Sequence, residues 1–344
     1  MKKVRLGRTN LMVTKPAFGV LPLQRVEMTE AVGILRNAYE SGINFFDTAR
    51  AYTDSEEKIG NALSDVRKNI VIATKTQAKT KDHVLKHLEK SLKMLKTDYI
   101  DIYQLHNHDQ LPGQDDPGSI YRALLDAKAS GVIRHIGITN HRRKLALEAI
   151  DTGMFDTLQF PFSLLATKED IALVEACKKK DVGFIAMKAL SGGLISNIPA
   201  AVAFLNQYEN VVPIWGIQRK SELDQFIELA KNPPFLDEAM QKQIEKDRVE
   251  LAGNFCRGCG YCMPCPVEIP INTAARLSLM LMRAPVRHFL SDAWYKEMMK
   301  IEDCTDCGSC KEQCPYELDT PELLRSNLKF YKEFYEKHKD DRKS

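Results

Sequence analysis

Up to residue 232 the chain repeats one pattern: a short β-branched or aromatic run, then a longer segment with apolar residues at helical spacing. This alternation points to βα units, because two parallel strands pair only if the chain crosses back between them. Strands are expected at 17–20, 43–46, 69–73, 99–105, 133–138, 156–160, 182–187 and 211–215. Intervening helices are expected at 30–39, 55–63, 81–95 and 121–129, among others. Gly42, Gly131 and Gly183 stand where a helix would end and the next strand begin. Ahead of the first strand, VRLGRTNLMV reads as a hairpin turning at Gly7 to Asn10. Eight strands with eight helix-like segments suit an α/β fold, a closed (β/α)8 TIM barrel over residues 1–232. An open doubly wound sheet shows the same local alternation.

Asn232-Pro233-Pro234 ends this rhythm, and a polar helical stretch at 236–251 makes 233–255 a helical linker. Beyond it the cysteines crowd together. Of 9 in the chain, only Cys177, in the helical LVEACKKK, lies outside the span 256–314, and its expected role is packing. One run is Cys256, Cys259, Cys262 and Cys265, followed by a proline; the other is Cys304, Cys307, Cys310 and Cys314, also followed by a proline. The spacing C-x2-C-x2-C-x3-C-P is that of a ferredoxin [4Fe–4S] cluster, in which the fourth cysteine serves the other cluster. The second run fits it. The first is one residue short at its last gap, which leaves the partner of Cys265 open. Zinc prefers two separated cysteine pairs, disulfides need an oxidising compartment, and a redox-active CxxC would not need so many thiols. Residues 256–344 are therefore expected to form a ferredoxin-like domain with two [4Fe–4S] clusters. A helix-like stretch at 273–283 between the runs makes it mostly α-helical. The ending is expected to be a helix packed by Leu324, Leu328, Tyr331 and Tyr335 that frays into a solvated tail.

Composition narrows the function classes. With 49 basic against 46 acidic residues the net charge is +3, too weak a field to suggest nucleic acid as a partner. No apolar run is long enough to span a bilayer, and MKKVRLGRTN has no apolar segment behind its basic residues, so a cytoplasmic protein is expected.

Chemistry in a parallel barrel sits at the C-terminal ends of its strands. The second strand ends in FFDTARAY, which puts Asp47 and Tyr52 there. The third ends in VIATK at Lys75, and the fourth in YQLHN at His106. Singly, these read as a helix cap, a surface aromatic, a solvated amine and a core histidine. Four such groups leaving three successive strands at one mouth are a less ordinary coincidence. Through DTARAY, IATK, QLHN and the order of its barrel elements, the chain resembles the aldo-keto reductase family over roughly its first 230 residues. The resemblance implies a catalytic tetrad of Asp47, Tyr52, Lys75 and His106. A lysine ammonium near Tyr52 would lower a phenol pKa of about 10. Asp47 would hold that lysine, and His106 would orient the substrate oxygen.

The same resemblance implies nicotinamide contacts from Thr139, Asn140 and Gln159. It also implies a pyrophosphate loop with Lys188, Ser191, Gly192 and Gly193. At the last strand the chain departs from the family pattern. Gly216 matches, but Trp215 replaces a proline and Gln218 takes the position of a basic residue, with Arg219 and Lys220 adjacent. Since a displaced arginine is not equivalent in phosphate recognition, the cofactor is NAD(P)(H) with NADP versus NAD unresolved. Glu222 is a candidate for the adenine edge.

Barrel and cysteine runs together resemble a subfamily of aldo-keto reductases with a C-terminal ferredoxin-like domain. The resemblance implies an oxidoreductase that interconverts a carbonyl and an alcohol, its clusters exchanging electrons with a ferredoxin or flavodoxin carrier. Hydride transfer moves two electrons and a cluster moves one, so coupling the two normally calls for a flavin or a radical-forming substrate. No motif here specifies a flavin. Two alternatives stay open: an electron-transfer module whose barrel binds a nucleotide or flavin, and a plain carbonyl reductase with structural or redox-sensing clusters.

Overall fold

The computed structural model describes residues 1–251, 255–283 and 287–338. Ten strands occur among them: β1 Lys3–Arg5, β2 Met12–Thr14, β3 Ala17–Gly19, β4 Phe45–Asp47, β5 Val71–Thr76, β6 Ile100–His106, β7 Ile133–Thr139, β8 Thr157–Pro161, β9 Gly183–Met187 and β10 Val211–Gly216. β3 to β10 pair in parallel and in order, and β10 returns to β3, so the sheet closes. Closure removes the open doubly wound alternative. β1 and β2 form the expected antiparallel hairpin. Its Leu6 and Val13 are fully buried and pack with Ala17, Phe45, Val71, Ile102, Ile185 and Val212 of the barrel interior.

The strands lie within two residues of the expected bounds, except that β5 runs three residues further, to Thr76. The role expected of Gly183 differs. Gly42 and Gly131 have positive φ, 97° and 78°, as a left-handed residue after a helix should. Gly183 instead opens β9, and the left-handed residue after the helix Lys168–Lys179 is Asp181, with φ 55°. Glycine at 183 answers to space: a Cβ there would lie 2.7 Å from Leu6 Cγ.

The chain forms two compact units, Met1–Ala189 with Pro199–Gln241, and Leu190–Ile198 with Lys242–Ser344. The division falls inside the helix Glu238–Glu250, and the short loop after β9 belongs with the C-terminal unit. That unit is helical, with a core of Ile271, Leu277, Met298, Ile301, Leu324 and Tyr331 among others. Its last helix, Thr320–Lys337, is capped by Asp319 and buries Leu324, Leu328, Tyr331 and Tyr335. The expected solvated tail, 339–344, lies outside the described residues. The helix expected at 273–283 is in fact two, Ile271–Ala274 and Leu277–Arg283. Asn327 holds the break: its amide nitrogen donates to the Ala275 carbonyl (3.2 Å) and its oxygen accepts from the Ser278 N–H (2.8 Å). Cys177 is fully buried, and burial pushes its thiol up to about 12. Among the described residues no helix is long and apolar enough to cross a membrane.

Candidate functional site

At one end of the barrel three successive strands deliver the expected polar groups. Asp47 ends β4, Lys75 lies one residue before the end of β5, and His106 ends β6. Tyr52 stands three residues before the helix Ser55–Leu63. Lys75 Nζ donates to Asp47 Oδ2 at 2.7 Å and to the Thr48 carbonyl at 2.6 Å. The same ammonium is 5.3 Å from the centre of the Tyr52 ring. His106 stands edge-on to that ring, centroids 5.8 Å apart and planes at 85°. Asp47, Lys75 and His106 are buried and Tyr52 is half-buried.

Burial sets the electrostatics. It pushes Lys75 below the usual lysine range, with the Asp47 charge and hydrogen bond opposing. It pushes His106 down to about 3, and the charges of Lys75 and His108 add to the effect. The imidazole is therefore neutral near pH 7 and has one N–H to donate. His141, also buried, is lowered further by Lys188 and His106, which places Lys188 near this histidine pair.

Sequence reasoning missed Gln104. It is fully buried, and its Nε2 donates to Gln159 Oε1 at 2.9 Å and approaches Asp47 Oδ1 at 3.4 Å. Gln159 Nε2 approaches Asp47 Oδ2, also at 3.4 Å. Two amides thus brace the carboxylate that holds Lys75. The available signal was the period of a strand, which puts Gln104 on the same face as His106, two residues on.

The expected nucleotide contacts are placed as follows. Thr139 ends β7, in register with His106 on one side and Gln159 on the other, so these three share a level of the barrel. The Asn140 amide donates to the His108 carbonyl (2.9 Å) and accepts from the Arg142 N–H (2.8 Å). Lys188 follows β9, and Ser191, Gly192 and Gly193 form a turn in which each has positive φ. Gly216 ends β10 and is exposed, while Trp215 is buried against Phe226, ring centroids 4.6 Å apart. Glu222 faces the chain ahead of its own helix, Lys220–Lys231: its Oε2 accepts from the Gln218 and Arg219 N–H groups at 2.7 and 3.1 Å. The Arg219 side chain is exposed, with Glu222 3.9 Å away.

In the C-terminal unit thiols of the two sequence runs come together. One cavity is lined by Cys265 together with Cys304, Cys307 and Cys310, with Pro264, Ile269, Ile271 and Leu324 among its apolar walls. Cys262 also reaches this cavity. Cys314, from the second run, lies with Cys259 close enough to Cys256 for their charges to push its thiol up, beyond the larger effect of burial. Among the described residues no three His, Cys, Asp or Glu side chains are placed to hold a single metal ion. A cubane takes one thiolate at each iron corner, and the cysteines lining this cavity are enough to supply four. Apolar walls around thiols suit such a cluster.

Residues 17–199, more than half of the chain, match the model of the aldo/keto reductase family. The chain belongs to this family. Residues 255–319 match a 4Fe-4S dicluster domain, so the protein is an aldo-keto reductase-type oxidoreductase with an iron–sulfur domain. Among relatives, the uncharacterized oxidoreductase YqkF of Bacillus subtilis is 29% identical over 226 residues, 61% of this chain and 72% of its own length. L-galactose dehydrogenase of Arabidopsis thaliana is 32% identical over 212 residues, 56% of this chain and 66% of its own length. Among solved structures, the holo aldo-keto reductase AKR11C1 from Bacillus halodurans has a TM-score of 0.63 at 24% identity, covering 72% of this chain and 96% of that one. The Klebsiella pneumoniae aldo-keto reductase in complex with NADPH has a TM-score of 0.62 at 21% identity, covering 71% and 94%. These two likenesses bear on the fold alone.

Proposed function

We propose that the barrel interconverts a small carbonyl compound and its alcohol with NAD(P)(H), and that the C-terminal unit carries two [4Fe–4S] clusters for one-electron exchange with a ferredoxin or flavodoxin. The observation that carries the first half is Lys75, a buried ammonium 2.7 Å from Asp47 and 5.3 Å from the Tyr52 ring. When bound, the nicotinamide supplies a hydride for the carbonyl carbon. The Tyr52 hydroxyl gives its proton to the carbonyl oxygen, and Lys75 stabilises the phenolate left behind. Neutral His106 donates a hydrogen bond to the same oxygen and fixes its direction. Thr139, Asn140 and Gln159 are the residues to hold the carboxamide, Ser191 to Gly193 the pyrophosphate, and exposed Arg219 a 2′-phosphate.

The thiol groups support a crosswise assignment: Cys265, Cys304, Cys307 and Cys310 for one cluster, and Cys256, Cys259, Cys262 and Cys314 for the other. When bound, each cluster carries one electron at a time. The test is anaerobic NADPH-dependent reduction of an aldehyde by cluster-replete protein and its Tyr52→Phe variant. The variant is expected to lose about 10²–10⁴-fold in kcat/KM while its clusters still bleach with dithionite. An unchanged rate would remove Tyr52 as the proton donor and leave the barrel as a nucleotide-binding electron relay.

A further inference from the structure

Arg276 sits at the helix break held by Asn327, between Ala275 and Leu277, both buried. Its backbone is therefore anchored in the core of the C-terminal unit, and its guanidinium lies between two loops of that unit. On one side is Gly192 in the loop Leu190–Ile198, whose carbonyl accepts from Arg276 Nη1 at 3.3 Å. On the other is Gly258, between Cys256 and Cys259. Both glycines have positive φ, 68° and 62°, and a Cβ on either would lie within 2.6 Å of the guanidinium. Two separate loops thus leave out a side chain at the point where each meets the same cation.

We propose that Arg276 is a positioning residue that couples nucleotide binding at the loop Leu190–Ile198 to the reduction potential of the cluster held by Cys256, Cys259, Cys262 and Cys314. The proposal rests on the reading that Ser191 to Gly193 hold the pyrophosphate. Reduction adds one negative charge to the cluster, so a guanidinium at the Cys256–Cys259 loop stabilises the reduced form. A pyrophosphate at Gly192 adds negative charge on the other side of the same cation and offsets its field. Bound nucleotide therefore lowers the potential, and by reciprocity cluster reduction weakens nucleotide binding by the same factor. Coupling of about fivefold, the lower end of the usual range, corresponds to about 40 mV at 59 mV per tenfold for one electron.

The test uses ADP-ribose and its 2′-phosphate, which carry the pyrophosphate but no nicotinamide and so exchange no electrons. Potentiometric titration of the full-length, cluster-replete protein, read by spin resonance, is expected to show the potential falling by about 40 mV with saturating ligand. Calorimetry should show about fivefold weaker binding to dithionite-reduced protein. Arg276→Gln is expected to lower the potential without ligand and to abolish the shift, while Arg276→Lys keeps most of both. If iron analysis finds Arg276→Gln incompletely loaded, the ligand-free potential of Gly192→Ala serves instead, because its Cβ displaces the guanidinium and this reading does not depend on ligand binding at the same loop. Ligand binding with no shift in the wild type, a full shift in Arg276→Gln, or an unchanged ligand-free potential in Gly192→Ala overturns the coupling alone. Absence of binding to the wild type overturns the pyrophosphate reading with it.

Discussion

His106 is buried beside Lys75 and His108, and its imidazole is driven down to about 3. In the unfolded chain it would titrate near 6.5. Between these values only the unfolded state binds the proton, so stability falls as pH drops through about 6.5 towards 3, and this contribution is constant above that window. Buried His141 and His108 are lowered in the same direction. The kinetic consequence is that His106 stays a neutral hydrogen-bond donor through the working range. The expected kcat/KM profile for aldehyde reduction is flat across pH 6.5, and His106→Gln lowers it by about 100-fold through lost orientation. An inflection near 6.5 that disappears in His106→Gln would show an imidazole titrating in its ordinary range. Residues such as Lys75 and His106 were legible because titratable groups ending barrel strands are conspicuous. Gln104 was not, since an amide within YQLH looks like any half-polar strand position until closure turns it towards Asp47.

At the level of elements, strand positions were readable because each strand is an apolar run bounded by helical periodicity. Packing between elements was not readable. Gly183 resembles a helix-ending glycine in sequence, yet its place is set by the hairpin. A Cβ at Gly183 would meet Leu6 Cγ at 2.7 Å and the Leu6 carbonyl oxygen at 2.9 Å, and one at Gly7 would meet the Gly183 nitrogen at 2.2 Å. The loop before β2 and the start of β9 therefore touch backbone to backbone. Gly183→Ala is expected to cost about 1–3 kcal/mol by overpacking, read from the urea midpoint followed by circular dichroism. Gly33, inside the helix Met28–Glu40 with nothing within 4 Å of its missing Cβ, gives the contrast. Gly33→Ala is expected to stabilise by about 0.5–1 kcal/mol. Equal effects of the two changes would mean that the close approach of Leu6 does not govern position 183.

For the molecule as a whole, the ferredoxin spacing of the second run already implied that a fourth cysteine serves the other cluster, and the partner of Cys265 alone was left open. The first run is one residue short, and only the folded chain puts Cys265 with Cys304, Cys307 and Cys310. Crossing has a consequence that two independent modules would not show. A lesion at the end of one run acts on the cluster bound mainly by the other, so paired substitutions are non-additive in a pattern that reveals the grouping. In the crosswise arrangement Cys265→Ser lowers iron from about eight to about four atoms per chain by removing the second-run cluster. Adding Cys307→Ser then removes little more, because both changes strike the same cluster. Adding Cys259→Ser takes the remaining iron, because it strikes the other. Uncrossed runs reverse the two outcomes. Iron analysis with spin resonance of the singly and doubly substituted proteins decides between them. Additive loss from Cys265→Ser with Cys307→Ser, and none beyond the single from Cys265→Ser with Cys259→Ser, would place Cys265 with its own run.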